Sequence, residues 1–216
     1  MTTRGRFITL EGGEGAGKST QARYIRDWLE ARGRQVLLTR EPGGSPLAEA
    51  IRHLVLGDWA EGIAPSTETL LMFAARAAHW NTTIKPALAA GRDVVSDRFV
   101  DSSYAYQGGR KGITERRLRM LERMVLGKRK PDVTLLFDID PELGLRRTQE
   151  RGDDNNRFEQ EALDFQRRVR EIFLARAQAE PERFVVIDAS REPEAVSAAV
   201  AEALAARLGF VGPPSA

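Results

Sequence analysis

Cysteine is absent from the sequence, which excludes disulfide bonds and thiolate metal sites in this chain. Such a composition fits a reducing compartment, and we expect the protein to be cytoplasmic. Long hydrophobic runs are also lacking, whereas a membrane-spanning helix needs about 18 or more apolar residues in succession. The segment before residue 7 has no apolar core of the kind found in secretion signals. The sequence therefore predicts no membrane span and no signal peptide.

An excess of either charge sign is missing as well. The chain has 33 basic and 31 acidic side chains, which give a formal net charge of +2. Because proteins that coat nucleic acids present a basic face or arm, we expect no nucleic-acid partner. The remaining composition, 42% hydrophobic and 30% charged among 216 residues, is typical of a globular protein. This length fits one domain, which we expect over residues 1–208, followed by a flexible tail at 209–216 with two prolines.

Short apolar or β-branched runs alternate with helical patterns along the chain. The runs predict strands at residues 7–11, 35–40, 93–96, 133–138 and 184–188. Helical patterns cover the stretch that ends at Gly33 and residues 46–56, 66–90, 115–126, 141–150, 158–179 and 192–208, with a bend expected at Pro86. This alternation predicts an α/β fold, a five-stranded parallel sheet with helices on both faces. Ligands of such folds bind at the carboxyl ends of the strands.

A glycine-rich loop follows the first predicted strand and precedes an amphipathic helix. Its residues match the pattern G-x-x-x-x-G-K-[ST] and are Gly12, Gly13, Glu14, Gly15, Ala16, Gly17, Lys18 and Ser19, with Thr20 next. Glycines let the backbone N–H groups converge on a phosphate, and the helix adds its N-terminal dipole. Lys18 is then expected to reach the β- and γ-phosphates of ATP, and the Ser19 hydroxyl to bind Mg²⁺. The motif predicts a P-loop NTPase fold, without specifying the reaction.

Arginines follow strand ends where a second anion would be held. A kinase that phosphorylates a phosphate must bring two anions to within about 3–3.5 Å, which requires positive clamps. Arg40 ends the second predicted strand and Arg98 follows the third. Further arginines surround the segment RGDDNNR, and these are Arg146, Arg147, Arg151 and Arg157. The pattern predicts a kinase with a phosphorylated acceptor and a short lid at about 146–158.

Four further segments make the sequence similar to one family. They are TREPGG at 39–44, LMFAAR at 71–76, DRF at 97–99 and AYQGG at 105–109. In this order, and over nearly the whole chain, they resemble bacterial thymidylate kinase of the type with catalytic arginines in the lid. The resemblance implies a nucleoside-monophosphate kinase that uses ATP and Mg²⁺ to convert dTMP to dTDP for dTTP synthesis. It also implies a homodimer, for which helices 66–90 and 115–126 are candidate interfaces.

The resemblance assigns the contacts to the base and the sugar. Phe73 is implied to stack on thymine and Arg76 to donate to its carbonyl edge, and a spacing of three residues on one helix lets both face one pocket. Ser103 and Gln107 align with positions that line the base pocket. Tyr106 aligns with an aromatic residue under the sugar, where a ribose 2′-hydroxyl would clash.

The resemblance also assigns the phosphate contacts. Arg98 is implied to hold the acceptor phosphate, with Arg40 a weaker candidate for the same region. Pro42 belongs to the same substrate-binding set. Glu14 is implied to face the 3′-hydroxyl of the acceptor sugar rather than ATP.

The metal and the lid leave alternatives open. Asp97 is implied to lie near Mg²⁺, but Asp138 also ends a strand and competes for this role. Some members of the family carry an arginine at the position of Gly15, and those without it place the catalytic arginines in the lid. Arg151 and Arg157 are the candidates here, and the sequence does not choose between them.

Two other interpretations remain at this stage. Another nucleotide or nucleoside kinase could use the same phosphate cradle, and Glu14 or Glu41 could then act as the base that a nucleoside 5′-hydroxyl needs. A P-loop switch ATPase would bind ATP to change shape and would hydrolyse it slowly without an acceptor. The second interpretation gives no purpose to the Phe73–Arg76 pair.

Overall fold

The computed structural model describes residues 4–108, 110, 112–150 and 163–210. Within these residues one parallel sheet contains five strands in the order β2-β3-β1-β4-β5. The strands are β1 (Phe7–Gly12), β2 (Val36–Arg40), β3 (Asp93–Asp97), β4 (Val133–Asp138) and β5 (Phe184–Asp188). The predicted fold class is confirmed, and every predicted strand boundary lies within one residue of the observed one.

Helices connect the strands. The described helices are α1 (Lys18–Glu30), α2 (Pro46–Leu56), α3 (Pro65–His79), α4 (Lys85–Ala89), α5 (Val100–Tyr106), α6 (Glu115–Leu126), α7 (Pro141–Glu150), α8 (Leu163–Ala179) and α9 (Pro193–Leu208). No helix among the described residues is long and apolar enough to cross a membrane. Residues 151–158 of the predicted lid and the tail beyond 210 lie outside the described residues.

Alternate strand residues pack on opposite faces of the sheet. Ile8 and Leu10 of β1 belong to the apolar cluster formed with α1 and α9, where Ile25 and Val200 are fully buried. Phe7 points to the other face and packs with α4, α5 and α6 residues. This alternation follows from the two-residue period of a strand, and because both faces are covered, the residues of β1 are buried throughout.

Two helical segments differ from the prediction. The stretch predicted as one helix at 66–90 is α3, then one turn of π-helix (Trp80–Ile84), then α4. The π-helical turn lies directly before Pro86. Proline lacks an N–H, and its ring clashes with the carbonyl four residues earlier, so a regular α-helix cannot continue through this position. Helix α5 was not predicted, because it is only seven residues long and contains two serines, which are weak helix formers.

The parallel arrangement brings polar side chains to one edge of the sheet. β1 ends at Gly12, β2 at Arg40, β3 at Asp97 and β4 at Asp138. Because all strands run in the same direction, these ends lie along the same edge. The loops that follow them form the candidate site.

Candidate active site

The loop between β1 and α1 forms a phosphate cradle. Gly17 precedes α1 with a φ of 77°, a left-handed conformation that a side chain disfavours. Gly15 has a φ of 69°, and a Cβ at this position would lie 2.1 Å from the carbonyl oxygen of Gly144 in α7. Backbone conformation and the close approach of α7 therefore both require glycine in this loop.

Lys18 and Ser19 present their polar atoms beside the cradle. The Lys18 ammonium donates to the Gly13 carbonyl at 2.6 Å. Burial, followed by the nearby Arg98 guanidinium, lowers the pKa of Lys18 to about 8. The Ser19 hydroxyl donates to Asp97 Oδ2 at 2.7 Å. A cation and a hydroxyl–carboxylate pair thus lie at the start of α1.

Two cavities meet at the cradle. The P-loop cavity, of about 360 Å³, is lined by residues 14–20 together with Arg23, Asp97 and Arg98. The side cavity, of about 240 Å³, is lined by Glu14, Glu41, Pro42, Arg52, Leu56, Met72, Arg98, Ser102, Tyr106 and Gln107. Glu14 and Arg98 line both cavities, so a group at their junction contacts an acid and a guanidinium.

Arg98 is held at this junction by contacts on both sides. Its guanidinium contacts Glu14 Oε1 at 2.5 Å and donates to the Gly12 carbonyl at 3.0 Å and to Ser102 Oγ at 3.2 Å. Burial favours a higher pKa for Glu14, but the charges of Arg98 and Lys18 outweigh it and lower that pKa below its usual value. Glu14 is therefore an ionised carboxylate at the junction.

Gln107 lines the side cavity, and its amide oxygen has no hydrogen-bond partner among the residues that the structure describes. Its Nε2 donates to Glu68 Oε1 at 2.9 Å, and a carboxylate can only accept, which fixes the orientation of the amide. The Oε1 atom is buried and accepts no hydrogen bond from the residues that the structure describes. Tyr106, next in the chain, donates to Glu14 Oε1 at 3.3 Å. The side cavity thus contains a buried acceptor that a ligand donor can satisfy.

Three residues assigned to the base lie behind the side cavity. Phe73 is 2% exposed, belongs to the same core cluster as Phe7 and Phe99, and is not among the residues that line the side cavity. Met72, one residue earlier and about 100° away around α3, lines the cavity instead. The prediction missed this because both residues are apolar and helical periodicity did not separate them.

Arg76 is a second residue of this buried group. It is 1% exposed and donates to Glu41 Oε2 at 2.7 Å, to Ser103 Oγ at 3.0 Å and to the Phe99 carbonyl at 3.0 Å. Glu41 also accepts from His79 Nδ1 at 3.1 Å. Arg76 and Ser103 therefore join α3 to α5 beneath the cavity, and Glu41 is occupied by two partners rather than free to act as a base.

Arg40 does not line the side cavity. Its side chain is 55% exposed and pairs with Glu49 at 3.1 Å, so the predicted contact with the acceptor region does not fit this placement. Arg52 of α2 lines the cavity instead and donates to the Pro42 carbonyl at 2.8 Å. The four-residue spacing of Arg52 and Leu56 on α2 places both on one helix face, a signal that the sequence contained.

The two acids that competed for the metal have different partners. Asp138 is bound by Arg170 through two hydrogen bonds, of 2.7 Å and 2.9 Å. Asp97 lines the P-loop cavity and contacts Ser19. Asp97 is therefore the better placed of the two. The lid candidates Arg151 and Arg157 lie outside the described residues.

Comparison with known proteins agrees with this geometry. Residues 10–200 match the family model described as thymidylate kinase. A thymidylate kinase of Chromohalobacter salexigens is 53% identical over 207 residues, which cover 95% of this chain and 98% of that protein. One from Hahella chejuensis is 49% identical over 205 residues, again 95% of this chain and 98% of that protein.

A solved structure agrees as well. The crystal structure of thymidylate kinase from Ehrlichia chaffeensis superposes with a TM-score of 0.75 at 33% identity, covering 93% of this chain and 99% of that chain. A P-loop, an arginine at the cavity junction, and relatives matched over nearly their whole length lead to one conclusion: the chain belongs to the thymidylate kinase family.

Proposed function

We propose that this protein transfers the γ-phosphoryl of ATP to dTMP and releases ADP and dTDP, a step of dTTP synthesis. The observation that carries the proposal is the meeting of the P-loop cavity and the side cavity at Arg98 and Glu14. ATP occupies the first cavity and dTMP the second, so that both phosphates lie beside one guanidinium. Phosphoryl transfer of this kind depends mainly on positioning and charge neutralisation.

The donor side consists of residues 12–20. Backbone N–H groups of the loop bind the ATP phosphates, and Lys18 neutralises charge on the transferring phosphoryl. Its hydrogen bond to Gly13 holds the ammonium at the loop before ATP arrives. This pre-organisation lowers the cost of ordering a long side chain on binding.

Ser19 and Asp97 fit a Mg²⁺ site. Their oxygen atoms lie 2.7 Å apart in the P-loop cavity. Mg²⁺ prefers oxygen ligands and usually binds one or two protein groups together with phosphates and water. No cluster of three or more metal-binding side chains occurs in the described ranges, which a site of this type does not need. Ser19 and Asp97 would hold Mg²⁺ there, and the ion would supply positive charge beside the ATP phosphates.

The acceptor phosphate is assigned to Arg98, with Arg52 as a second cation. Both line the side cavity, and Arg98 can bind a phosphate through two N–H groups. Glu14, an ionised acceptor at the junction, is assigned to the 3′-hydroxyl of the sugar. Tyr106 lines the same cavity and is assigned to exclude a ribose 2′-hydroxyl by steric contact, which would favour deoxynucleotides.

The base is assigned to the side cavity between Met72, Leu56 and Gln107. Thymine carries an N–H donor at N3, which matches the Gln107 oxygen, an acceptor without a partner in the part of the chain that the structure describes. Cytosine has an acceptor at N3, so its N3 atom and the Gln107 oxygen would be two acceptors facing each other without a proton between them. Pro42 closes the cavity near the sugar, and Ser103 and Arg76 support it from behind.

The lid is proposed to complete the site over residues 146–158. Arg151 and Arg157 are proposed to contact the transferring phosphoryl and to stabilise its charge in the transition state. Closure would exclude water, which otherwise competes with dTMP for the γ-phosphoryl.

A coupled ADP-release assay tests the proposed function. The protein is mixed with ATP, Mg²⁺ and one of dTMP, dUMP, dCMP, UMP, AMP, thymidine or no acceptor. We expect turnover to be greatest with dTMP. If turnover is greatest with another monophosphate, the protein is a kinase but the base assignments are wrong. If turnover is greatest with thymidine, the protein is a nucleoside kinase. Equal slow hydrolysis of ATP in every mixture would indicate a switch ATPase.

A homodimer is proposed through α2, α3 and α6. Large apolar side chains of these helices are exposed, namely Leu47, Leu54, Leu70, Met120 and Met124. Both α2 and α6 pack against α3, so the three helices form a continuous surface. An apolar surface of this kind is typical of a subunit interface.

We further propose one kinase domain over residues 1–208 and a cytoplasmic location, where ATP is the common phosphoryl donor.

A further inference from the structure

Glu11 is a buried carboxylate for which the proposed transfer has no direct use. It precedes the P-loop in β1 and is fully buried. Its two oxygens accept hydrogen bonds from the Phe99 N–H at 2.9 Å and from the Ser102 hydroxyl at 2.6 Å. Phe99 directly follows Arg98, and Ser102 contacts it, so both donors adjoin the proposed phosphate clamp.

The main chain of Arg98 needs external support. Its φ is 67°, a left-handed conformation that is unfavourable for a residue with a Cβ. The Arg98 N–H donates to the Leu10 carbonyl at 2.9 Å, and its carbonyl accepts from Ser96 Oγ at 2.8 Å. The bond from Phe99 N–H to Glu11 fixes the following peptide. Contacts on both sides of Arg98 therefore maintain this conformation.

The side chain of Arg98 is supported by the same carboxylate. Because the Ser102 hydroxyl donates its proton to Glu11, its lone pairs are left to accept from Arg98 Nη1 at 3.2 Å. Glu11 thus orients a hydroxyl that in turn orients the guanidinium. Both hydrogen bonds that the Glu11 carboxylate accepts from the described residues therefore act on Arg98, one through the backbone and one through the side chain.

We propose that Glu11 is a positioning residue, which holds Arg98 in the conformation that binds the acceptor phosphate. The inference rests on the proposed function, in which Arg98 holds the phosphate of dTMP while residues 12–20 bind ATP. It predicts that loss of the carboxylate weakens the dTMP side of the reaction and leaves the ATP side largely intact.

The energetics of Glu11 agree with a positional role. Burial, followed by the charge of Asp101, raises the pKa of Glu11 to about 7, although the bonds from Ser102 and Phe99 oppose this rise. An ionised Glu11 at neutral pH therefore lowers the stability of the folded protein. A group that costs stability and orients a functional side chain is typical of an active site.

The test compares Glu11→Gln with Thr9→Val. Thr9 lies two residues earlier on the same strand, is fully buried, and bonds Thr134 rather than any group at Arg98. For Glu11→Gln we expect KM for dTMP to rise about tenfold or more, while KM for ATP changes less than about twofold. At pH 8 its melting temperature should equal or exceed that of the wild type. Thr9→Val should leave both KM values unchanged.

The variants Ser102→Ala and Arg98→Ala distinguish a failure of the positioning role of Glu11 from a failure of the function proposed for Arg98. Ser102→Ala removes only the side-chain contact and should raise KM for dTMP less than Glu11→Gln does. If Arg98→Ala leaves dTMP kinetics intact, the proposed function of Arg98 is wrong. If Arg98→Ala is impaired but Glu11→Gln and Ser102→Ala match the wild type, the positioning role is wrong. Equal rises in both KM values together with a lower melting temperature would also overturn it.

Discussion

The amide nitrogen of Gln107 donates to the buried Glu68 carboxylate, and this bond fixes which end of the amide is the acceptor. A ligand without a donor at that point leaves the oxygen unsatisfied, and an unsatisfied buried acceptor costs about 1–3 kcal/mol. In the proposed base assignment, discrimination among pyrimidines would therefore depend on one oxygen atom, whose orientation is fixed by a neighbour outside the cavity.

Methylation of the substrate at N3 tests this contact without changing the protein. N3-methyl-dTMP has no N3 donor and adds bulk, so we expect kcat/KM to fall about 100-fold or more relative to dTMP. The matched control is dUMP, which keeps the N3 donor and lacks only the 5-methyl group, and it should lose about 10- to 100-fold at most. Equal kcat/KM for N3-methyl-dTMP and dTMP would show that Gln107 does not contact N3.

Lys18 and Arg98 give a second prediction at the scale of single residues. We expect Lys18→Ala and Arg98→Ala each to lower kcat by about 100-fold or more, because each removes a charge that the transition state uses. Circular dichroism should show an unchanged fold. Wild-type-like turnover in either variant would refute the role assigned to that residue.

The raised pKa of Glu11 predicts how stability depends on pH. Between its usual value of 4.5 and about 7, the folded protein binds a proton at Glu11 that the unfolded chain has released. The free energy of unfolding therefore falls as pH rises through this range, by at most about 1.4 kcal/mol per pH unit. Asp101 strengthens the effect and Arg98 weakens it.

Glu11→Gln removes this titration. Urea denaturation from pH 4.5 to 8 measures the free energy of unfolding of both proteins. Up to pH 7 the value for the wild type should fall relative to that of the variant. Above pH 7 the difference between the two proteins should stay constant. A constant difference between the two proteins across the range would mean that Glu11 titrates at an ordinary pKa in the folded state.

Residue identities in the cradle could be predicted from the sequence, but the orientation of side chains in the side cavity could not. Lys18 and Ser19 follow from a motif whose spacing fixes its geometry. Met72 and Phe73 are adjacent and both apolar, so the choice between cavity and core depends on how α3 is rotated against α5. Packing contacts that are distant in sequence determine that rotation.

At the scale of elements, α5 connects the site to the rest of the fold. Its Ser102, Tyr106 and following Gln107 line the side cavity. Its Asp101 points to α8 and β5, where it is fully buried and binds Arg183 at 2.7 Å and Arg176. One short helix therefore has substrate-side residues on one face and a buried ion network on the other.

Asp101→Asn should destabilise the protein strongly. The substitution removes the carboxylate charge that Arg183 and Arg176 share and leaves the almost fully buried Arg183 with Glu180 as its remaining carboxylate partner among the described residues. Breaking a buried pair in this way costs about 3–5 kcal/mol. Urea denaturation measures the loss. The control is Glu115→Gln, which breaks an exposed ion pair with Arg119 and should leave the midpoint unchanged. A midpoint for Asp101→Asn equal to that of the control would contradict the structural role.

The strands could be predicted within one residue, whereas α5 could not. Continuous apolar runs bounded by polar residues define buried parallel strands, and β4 and β5 were predicted at their observed limits. The sequence of α5, VDSSYAY, is too short to establish a helical apolar period, and Ala105 is its one strong helix former. Its conformation depends on tertiary contacts of Asp101 and Ser102, which a local pattern does not contain.

At the scale of the whole molecule, the exposed apolar surface of α2, α3 and α6 predicts self-association. We expect Met124→Glu to convert a dimer into a monomer in size-exclusion chromatography with light scattering, because a charge in an apolar interface opposes burial. Met124 is 75% exposed in the single chain, so the substitution does not disturb the core.

Val186→Glu is the matched control. Val186 is also an exposed apolar residue, at 48%, but it lies on β5 rather than on the three helices. This variant should retain the mass of the wild type. A monomeric wild type, or dissociation caused equally by both substitutions, would reject the proposed interface.

The sulfur chemistry of the chain has a consequence for oxidative stress. Without a thiol, the chain offers peroxide its four methionine thioethers, and oxidation converts each into a polar, chiral sulfoxide. Met120 and Met124 are exposed on the helix surface, while Met72 lines the side cavity. Sulfoxide formation would add oxygen to an apolar wall of the nucleotide site. Bound dTMP should shield Met72, so that the substrate protects the enzyme from inactivation by peroxide.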